Sequence, residues 1–291
     1  MQTIPSLYRW ATLLLLAVAA GGCSMGQMAV RGSMPLLEGG MEAMNRETDL
    51  ELAREAIPAT LKMLEGMLAQ DPGNAKLRLL AAQGFYGYGF AFVEAEAPGR
   101  AAALYRRCFD QARQALPGGL GSQVETLPLR QLEAALGKLG KDEVPALFWS
   151  ASCWTKWIDM NRDDPRSIAG LARAAAMMER ALALDPGYYY GGPELFFGVY
   201  YGSRPPMLGG DLERAERHFA RAREYTGGKL LLVDVFYAEY LARQRLDREA
   251  FHARLTRVIE TPVGSFPEMA FANQVARERA RRLLSKEDQW F

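Results

Sequence analysis

The ionisable side chains that could support catalysis are few and scattered along the chain. The two histidines, His218 and His252, lie in helical patterns among charged neighbours, which is typical of solvent-exposed helix positions. The sequence has no HExxH, CxxC or GxSxG pattern and no phosphate-binding glycine loop. We therefore predict a binding protein with no catalytic residue, no metal ligand and no cofactor. An envelope hydrolase whose site the sequence does not reveal is left open.

Closely spaced carboxylates are the other candidates for chemistry. Glu94 with Glu96 and Asp163 with Asp164 stand at predicted helix ends, where acidic residues ordinarily cap the helix or face solvent. Glu194 follows "GGP" and is expected in the first turn of a helix, where the helix dipole favours a carboxylate. We name Glu194 as a candidate contact for a ligand or partner.

Large aromatic side chains cluster in three segments, "QGFYGYGFAFVEAE", "PALFWSASCWTKWIDMN" and "YYYGGPELFFGVYYG". One interpretation is ordinary core between helices. The third segment argues for more, because a surface helix buries one stripe whereas the aromatic residues from Tyr188 to Tyr201 surround most of the helix. The other interpretation is therefore a ligand cavity or a partner surface. The candidate residues for that site are Phe85, Tyr88, Trp149, Trp154, Tyr190 and Tyr201, with Glu194 beside them.

The elements that carry these side chains are predicted to be helices. Apolar residues recur at three- and four-residue spacing, and strand signals are almost absent. The spacings from Ala174 to Pro186 fit a degenerate tetratricopeptide repeat, whose period is about 34 residues. We predict an all-α fold of antiparallel helix pairs stacked as a tetratricopeptide-repeat-like superhelix. The pairs are 48–70 with 75–93, 100–116 with 125–140, 145–161 with 166–184, 189–203 with 211–225, and 229–244 with 247–260, before a final helix at 267–285.

A five-residue insertion separates the two helices of the fourth pair. The repeat pattern resumes after it with the same spacing, so the insertion lies within residues 204–211. Pro205 and Pro206 reduce the entropy that this loop loses on ordering. We expect a rigid loop that shapes the mouth of the binding surface, and a following helix capped by Asp211.

The first 22 residues have the features of an export signal. Arg9 precedes an apolar run of 11 residues from Trp10 to Ala20, and two glycines and Cys23 follow. The pattern resembles a bacterial lipoprotein signal peptide, in which Cys23 is acylated; an ordinary secretory signal is the alternative. Ser24 resembles the residue that sends such lipoproteins to the outer membrane. We predict a signal peptide at 1–22, a lipidated tether at 23–46 and a helical-repeat domain at 47–291.

Charge and cysteine content limit the partners further. Of 35 basic side chains only Arg9 lies in the signal, which leaves 34 against 34 acidic ones. This balance gives no support for a nucleic-acid partner. Cys108 and Cys153 lie in apolar helical patterns and are expected to be buried thiols, with a single bridge between them as the alternative.

Several blocks of the sequence resemble the TatT family. They include "LAREAIPATLKMLEGMLAQDPGNAKLRLLAAQGFYGYGFAFVE", "MERALALDPGYYYGGPELFFGVYYGSRPPMLGGDLERAERHFARA" and "FANQVARERARRLLSKEDQWF", and the resemblance runs from about Thr48 to Phe291. TatT proteins are the lipoprotein T components associated with tripartite ATP-independent periplasmic (TRAP) transporters. One departure concerns Glu194, because that position is often His in the family, and this puts the ligand preference in question.

The resemblance implies a function in solute uptake. It implies irregular tetratricopeptide repeats, homo-oligomers such as trimers, and a partner that is the periplasmic solute-binding protein, or P component, of a TRAP system. It also implies hand-over of a small hydrophobic ligand. We therefore expect a lipid-anchored protein on the periplasmic face of the outer membrane. The alternative is a scaffold lipoprotein for an envelope assembly complex, with proteins as clients.

Overall fold

The computed structural model describes residues 24–291, and the regular elements in this range are all helical. The predicted all-α class is confirmed. The predicted signal peptide at 1–22 and the predicted acylation at Cys23 lie outside the described residues. None of the helices between residues 24 and 291 combines the length and the apolar character needed to cross a membrane.

Residues 24–291 contain fifteen α-helices, some of them a single turn long. Turns, short 3₁₀ segments and two π-helical segments, Gly89–Val93 and Ala238–Ala242, connect or extend them. The α-helices are α1 Met25–Asn45, α2 Leu50–Gln70, α3 Ala75–Tyr88, α4 Pro98–Gln114, α5 Leu120–Gln123, α6 Leu129–Leu136, α7 Val144–Met160, α8 Pro165–Ile168, α9 Leu171–Leu184, α10 Tyr188–Gly202, α11 Leu212–Glu224, α12 Leu232–Tyr237, α13 Arg248–Glu260, α14 Ala270–Leu284 and α15 Glu287–Trp290.

Consecutive helices joined by short turns pack as pairs, as the spacing predicts. Helices α2 and α3, α10 and α11, and α12 and α13 are in contact. Small residues allow the close approach: a Cβ atom at Gly198 would lie 2.9 Å from the Phe219 ring, and one at Gly202 would lie 2.6 Å from the Tyr240 carbonyl oxygen. Asp211 caps α11 by accepting a hydrogen bond from the Arg214 amide at 2.9 Å. The superhelical course of the stack stays a prediction.

The second predicted pair, 100–116 with 125–140, differs in the structure. Helix α4 packs against α3 and α7, while the short helix α6 packs against α9. The physical reason lies in the α4–α7 contact, where the Phe109 and Trp154 rings stack with centroids 4.7 Å apart. The same two helices are joined by a disulfide between Cys108 and Cys153, whose Cα atoms are 5.6 Å apart. From the sequence we expect two buried thiols, with a single disulfide as the alternative; the structure has the disulfide.

The segment predicted as a tether is an ordered helix over most of its length. Ser24 caps α1 in a capping box with Gln27. Val30 and Met34 are buried, and the Arg31 guanidinium contacts the Asp71 carboxylate at 3.0 Å. The four-residue spacing of these two apolar side chains produces a stripe that packs on the body.

A buried ion-pair network joins the two ends of the helical stack. Helix α14 contacts α1, α2, α12 and α13. From α14, the Arg279 guanidinium donates to Glu94 at 2.8 Å and to Glu239 at 2.9 Å. Glu94 also accepts from the Tyr105 hydroxyl and from the Lys156 ammonium, each at 2.6 Å. Residues far apart in sequence are thereby held at one point.

The expectation that Glu94 caps a helix or faces solvent is wrong. It follows the π-helical segment Gly89–Val93, and its side chain is only 8% exposed. Burial alone would raise the pKa of Glu94, but the charges of Lys156 and Arg279 outweigh burial and lower the pKa to about 2. Glu94 is therefore an ionised carboxylate inside the protein, neutralised by two cations.

Reducing the disulfide should destabilise the protein. Closing a loop with a sequence separation of 45 residues restricts the unfolded chain, and the chain-entropy model assigns it about 4 kcal/mol. We expect the reduced protein to unfold at clearly lower denaturant concentration than the oxidised protein. A Cys108→Ala/Cys153→Ala variant is the control and should be insensitive to reductant. Equal denaturation midpoints for oxidised and reduced wild type would contradict the prediction.

Acid should weaken the fold through Glu94. Its folded pKa of about 2 lies below the ordinary value of 4.5, so its ionisation stabilises the folded state above about pH 4.5 and stops doing so as the pH falls toward 2. The contribution is about 3 kcal/mol. Between pH 5 and pH 2, unfolding free energies measured with urea should fall by that much more in wild type than in Glu94→Gln. Glu96→Gln, an exposed neighbour, should follow wild type; parallel curves for wild type and Glu94→Gln would refute the assignment.

Candidate functional site

A cavity of about 290 Å³ lies inside the helical stack and opens to the surface. Its walls come from α1, α2, α3 with the following π-helical segment, and α14. Trp149 of α7, Tyr189 of α10 and Leu232 of α12 complete the lining. At the outside, the lining residues Leu36 and Met63 are 79% and 51% exposed. These helices therefore enclose a space that an apolar molecule could enter from the surface.

The lining is apolar and uncharged. Among residues 24–291, none of those that line the cavity is Asp, Glu, Lys, Arg or His. The polar groups include Gln83, Tyr86 and Tyr189, and the Gln83 amide nitrogen donates to the Tyr189 hydroxyl at 3.2 Å. Apolar walls with a few placed polar groups are typical of small-molecule sites. The space suits an apolar ligand and offers no counter-ion to a charged one.

A left-handed turn brings Tyr189 to the cavity. Tyr189, Tyr190 and Gly191 have φ values of 47°, 61° and 81°, in a region that side chains other than glycine rarely adopt. At Gly191 a Cβ atom would lie 2.6 Å from the Tyr225 ring, so the turn requires glycine there. The result is an edge contact between the Tyr189 and Trp149 rings, with centroids 5.1 Å apart. Such strain in non-glycine residues concentrates at functional sites.

The turn also changes the interpretation of the tyrosine-rich segment. The argument that aromatic residues surround one helix assumed a continuous helix from Tyr188 to Tyr201, but the backbone is not helical at residues 189–191. Part of that aromatic surface is therefore inside: Tyr188 and Tyr189 pack on the Phe148 ring, with centroid distances of 5.2 and 5.8 Å.

Two of the predicted binding residues, Tyr88 and Trp149, line the cavity. Phe85 is 1% exposed, and the Arg107 guanidinium lies 4.3 Å from its ring centroid. Trp154 is buried in the α4–α7 contact against Phe109. Phe85 and Trp154 thus occupy positions in the core between helices.

Tyr190, Glu194 and Tyr201 lie outside the cavity lining. Tyr190 makes an edge contact with Phe266 at 5.2 Å between ring centroids. The Glu194 carboxylate is 2.5 Å from His218 Nδ1, and the Tyr201 ring stacks on the His218 ring at 5.7 Å. The expected exposure of His218 is wrong, since its side chain is 12% exposed, whereas that of His252 is 59% exposed. Glu194 and Tyr201 therefore belong to one cluster around His218.

Residues of the lining that the sequence analysis missed had a local signal. In "QGFYGYGF" the glycines Gly84 and Gly87 are three apart, on one side of α3, and both line the cavity. A Cβ atom at Gly87 would meet nothing within 4 Å. Glycine at such a position leaves empty space beside Tyr86. The contribution of α1 was missed because residues 23–46 were assigned as a tether between the lipid and the helical repeats.

Comparison with known proteins places this architecture in a family. Residues 46–291 match the family model described as TRAP transporter T-component. The chain belongs to that family. This T-component is also similar to an uncharacterized protein of Treponema pallidum (strain Nichols), with 24% identity over 315 residues that cover 98% of this chain and 96% of the relative. The resemblance to the TatT family is confirmed.

Family membership assigns this protein to TRAP transport. T-components are accessory components of a transporter and not a family of enzymes, so this T-component has a role in TRAP transport in association with other TRAP components. In the described part of the chain, the structure brings no three His, Cys, Asp or Glu side chains together in an arrangement that could hold a metal ion.

Filling the cavity from α3 should block ligand binding without destabilising the T-component. Gly87→Leu places an apolar side chain in the open space, and replacing a helical glycine gains roughly 0.5–1 kcal/mol. We expect an unchanged or higher melting temperature and loss of binding of the neutral dye N-phenyl-1-naphthylamine, measured by dye fluorescence. Gly66→Leu on α2 is the matched control, because Gly66 is open but does not line the cavity. Normal dye binding by Gly87→Leu would place the dye elsewhere.

Proposed function

We propose that this T-component is a lipoprotein on the periplasmic face of the outer membrane that binds a TRAP-type solute-binding protein and shelters a small hydrophobic ligand, aiding solute uptake. Family membership supports the transport role. The lipoprotein pattern around Cys23 supports the anchor. Positioning and hand-over would be the mechanism, with no bond made or broken.

The uncharged cavity with an exposed apolar rim is the observation that carries this proposal. A ligand handed from one protein to another must leave one apolar site and enter the next without a long exposure to water. Leu36 and Met63 are apolar, exposed and part of the lining, so they extend the cavity surface outward. A partner seated over this rim would complete an apolar path between the two proteins.

The Pro-Gly loop, residues 204–211, is the proposed contact for the solute-binding protein. No residue of the loop lines the cavity, so the loop does not shape the cavity mouth as expected from the sequence. We assign it a role in contacting the partner instead. Met207 and Leu208 are 89% and 65% exposed at its tip. Backbone hydrogen bonds fix the end of the loop, because the Gly210 amide donates to the Pro205 carbonyl and the Asp211 amide to the Tyr201 carbonyl, each at 3.1 Å. A fixed loop with exposed apolar side chains loses little entropy on binding.

Self-association, in trimers as the family resemblance implies, completes the proposal. Met25 and Met28 lie one turn apart on α1 and are 84% and 60% exposed. Such a pair of apolar side chains is surface that a neighbouring subunit would cover favourably.

Native mass spectrometry of the protein without its lipid, alone and with candidate periplasmic binding proteins, tests the proposal. A multimer that retains a binding protein, with extra mass from a ligand, is the expected result. A ligand-free monomer that captures none of the binding proteins would instead favour a scaffold in an envelope assembly complex.

Changes in the Pro-Gly loop should weaken partner binding without unfolding the protein. Pro205→Ala/Pro206→Ala loosens the loop, and Met207→Ser/Leu208→Ser removes its apolar tip. We expect both variants to raise the Kd for the binding protein several-fold with little change in melting temperature, measured by calorimetry. Ile168→Ser, at another exposed apolar residue, is the control. A fall in melting temperature larger than the loss of binding would make the loop a structural element only.

A further inference from the structure

We infer that the cavity selects an uncharged apolar molecule with one hydroxyl or carbonyl group, and that Tyr86, Tyr189 and Gln83 bind that group. This inference rests on the proposed function only in taking the cavity as the ligand site. It adds the chemical class of the ligand and the residues that recognise its polar end.

The first argument concerns charge. Two cations lie behind the lining residue Phe90: the Arg279 guanidinium is 5.0 Å and the Lys156 ammonium 5.7 Å from its ring centroid. Both are already paired with Glu94, and Arg279 is also paired with Glu239. A carboxylate ligand in the cavity would therefore lose its hydration and find no free cation, and an unpaired buried charge is strongly disfavoured.

The second argument concerns the polar groups that remain. The Gln83 amide nitrogen donates to the Tyr189 hydroxyl at 3.2 Å, which leaves the Tyr189 hydroxyl proton, the second Gln83 amide hydrogen and the Gln83 amide oxygen. Within residues 24–291, no other side-chain hydrogen bond engages Gln83, Tyr86 or Tyr189. Gln83, Tyr86 and Tyr189 thus offer two hydroxyl donors, one amide N–H donor and one amide acceptor, and Asn45, Thr60 and Tyr88 are the other residues of the lining with amide or hydroxyl groups. A ligand hydroxyl can use both kinds of group, and a ligand carbonyl can use the donors.

The third argument concerns position and protonation. The Tyr86 and Tyr189 rings both pack edge-on against Trp149, at centroid distances of 5.6 and 5.1 Å, so their hydroxyl-bearing rings meet around one residue. Burial raises the pKa of Tyr189 to about 12 and, with the charge of Glu94, raises that of Tyr86 above its usual range. Both phenols stay protonated and remain donors. Leu36 and Met63, at the outside, are left for the apolar part of the ligand.

Competition against N-phenyl-1-naphthylamine tests the inference with ligands that differ only at the polar end. We would compare 1-dodecanol with dodecanoate at pH 8, where the acid is ionised, and include 1-octanol and 1-hexadecanol to find the best chain length. We expect the alcohol to bind more than about a hundredfold more tightly than the carboxylate of equal length. Dodecanoate that binds as tightly as 1-dodecanol would overturn the inference while leaving a hydrophobic-ligand role intact.

Variants test the three residues directly. Tyr86→Phe and Tyr189→Phe each remove a hydroxyl and keep the ring, so each should weaken binding of 1-dodecanol about tenfold more than binding of the dye. Tyr189→Phe also removes the acceptor of the Gln83 hydrogen bond, so Tyr86→Phe, which breaks no hydrogen bond within residues 24–291, is the cleaner of the two variants. Tyr225→Phe, outside the lining, is the control and should bind like wild type. Unchanged 1-dodecanol affinity in both cavity variants would overturn the assignment of Tyr86 and Tyr189. If neither the dye nor any alcohol binds wild type, the cavity is not a ligand site, and this part of the proposed function fails with the inference.

Discussion

The contact on which the rest of this structure depends is Arg279 between Glu94 and Glu239. An Arg inside a protein is costly unless carboxylates and hydrogen bonds surround it, and here both carboxylates are within 3 Å. Glu94 and Arg279 are 185 residues apart in sequence. Their pairing holds α14 against the beginning of the stack, and α14 forms part of the cavity wall. Together with the packing of α14 on α1, α2, α12 and α13, this contact holds one wall of the cavity in place.

The cavity itself results from a few small residues and one strained turn. Gly87 leaves space along α3, Gly84 allows the close approach of the Leu61 side chain, and the left-handed turn at Tyr189 and Tyr190 sends an aromatic ring into the site rather than along a helix. Close packing normally removes such spaces. An uncharged cavity is consistent with a binding role, since its walls lose packing contacts that a purely structural core would keep.

Much of the fold could be predicted from local patterns, but only part of the site. The repeat spacing predicted most of the helix pairs, and the residue order predicted the cap at Asp211, because these depend on neighbouring residues of one helix pair. Of the predicted binding residues, Tyr88 and Trp149 line the cavity, whereas Trp154 is in the core. An aromatic residue buried between helices and one that faces a cavity have the same spacing in sequence, so periodicity could not separate them.

The sequence by itself determined the helices, the cap at Asp211, most of the pairs and the family, because each rests on short-range spacing or on the similarity of whole blocks. Only the tertiary structure decided where charges and cavities lie. Glu94 has the sequence context of a helix end, and its burial depends on Lys156 and Arg279 arriving from distant helices. The role of α1 as a cavity wall depends likewise on contacts with α2 and α14. Such long-range contacts follow from how the helices stack, and no local pattern encodes them.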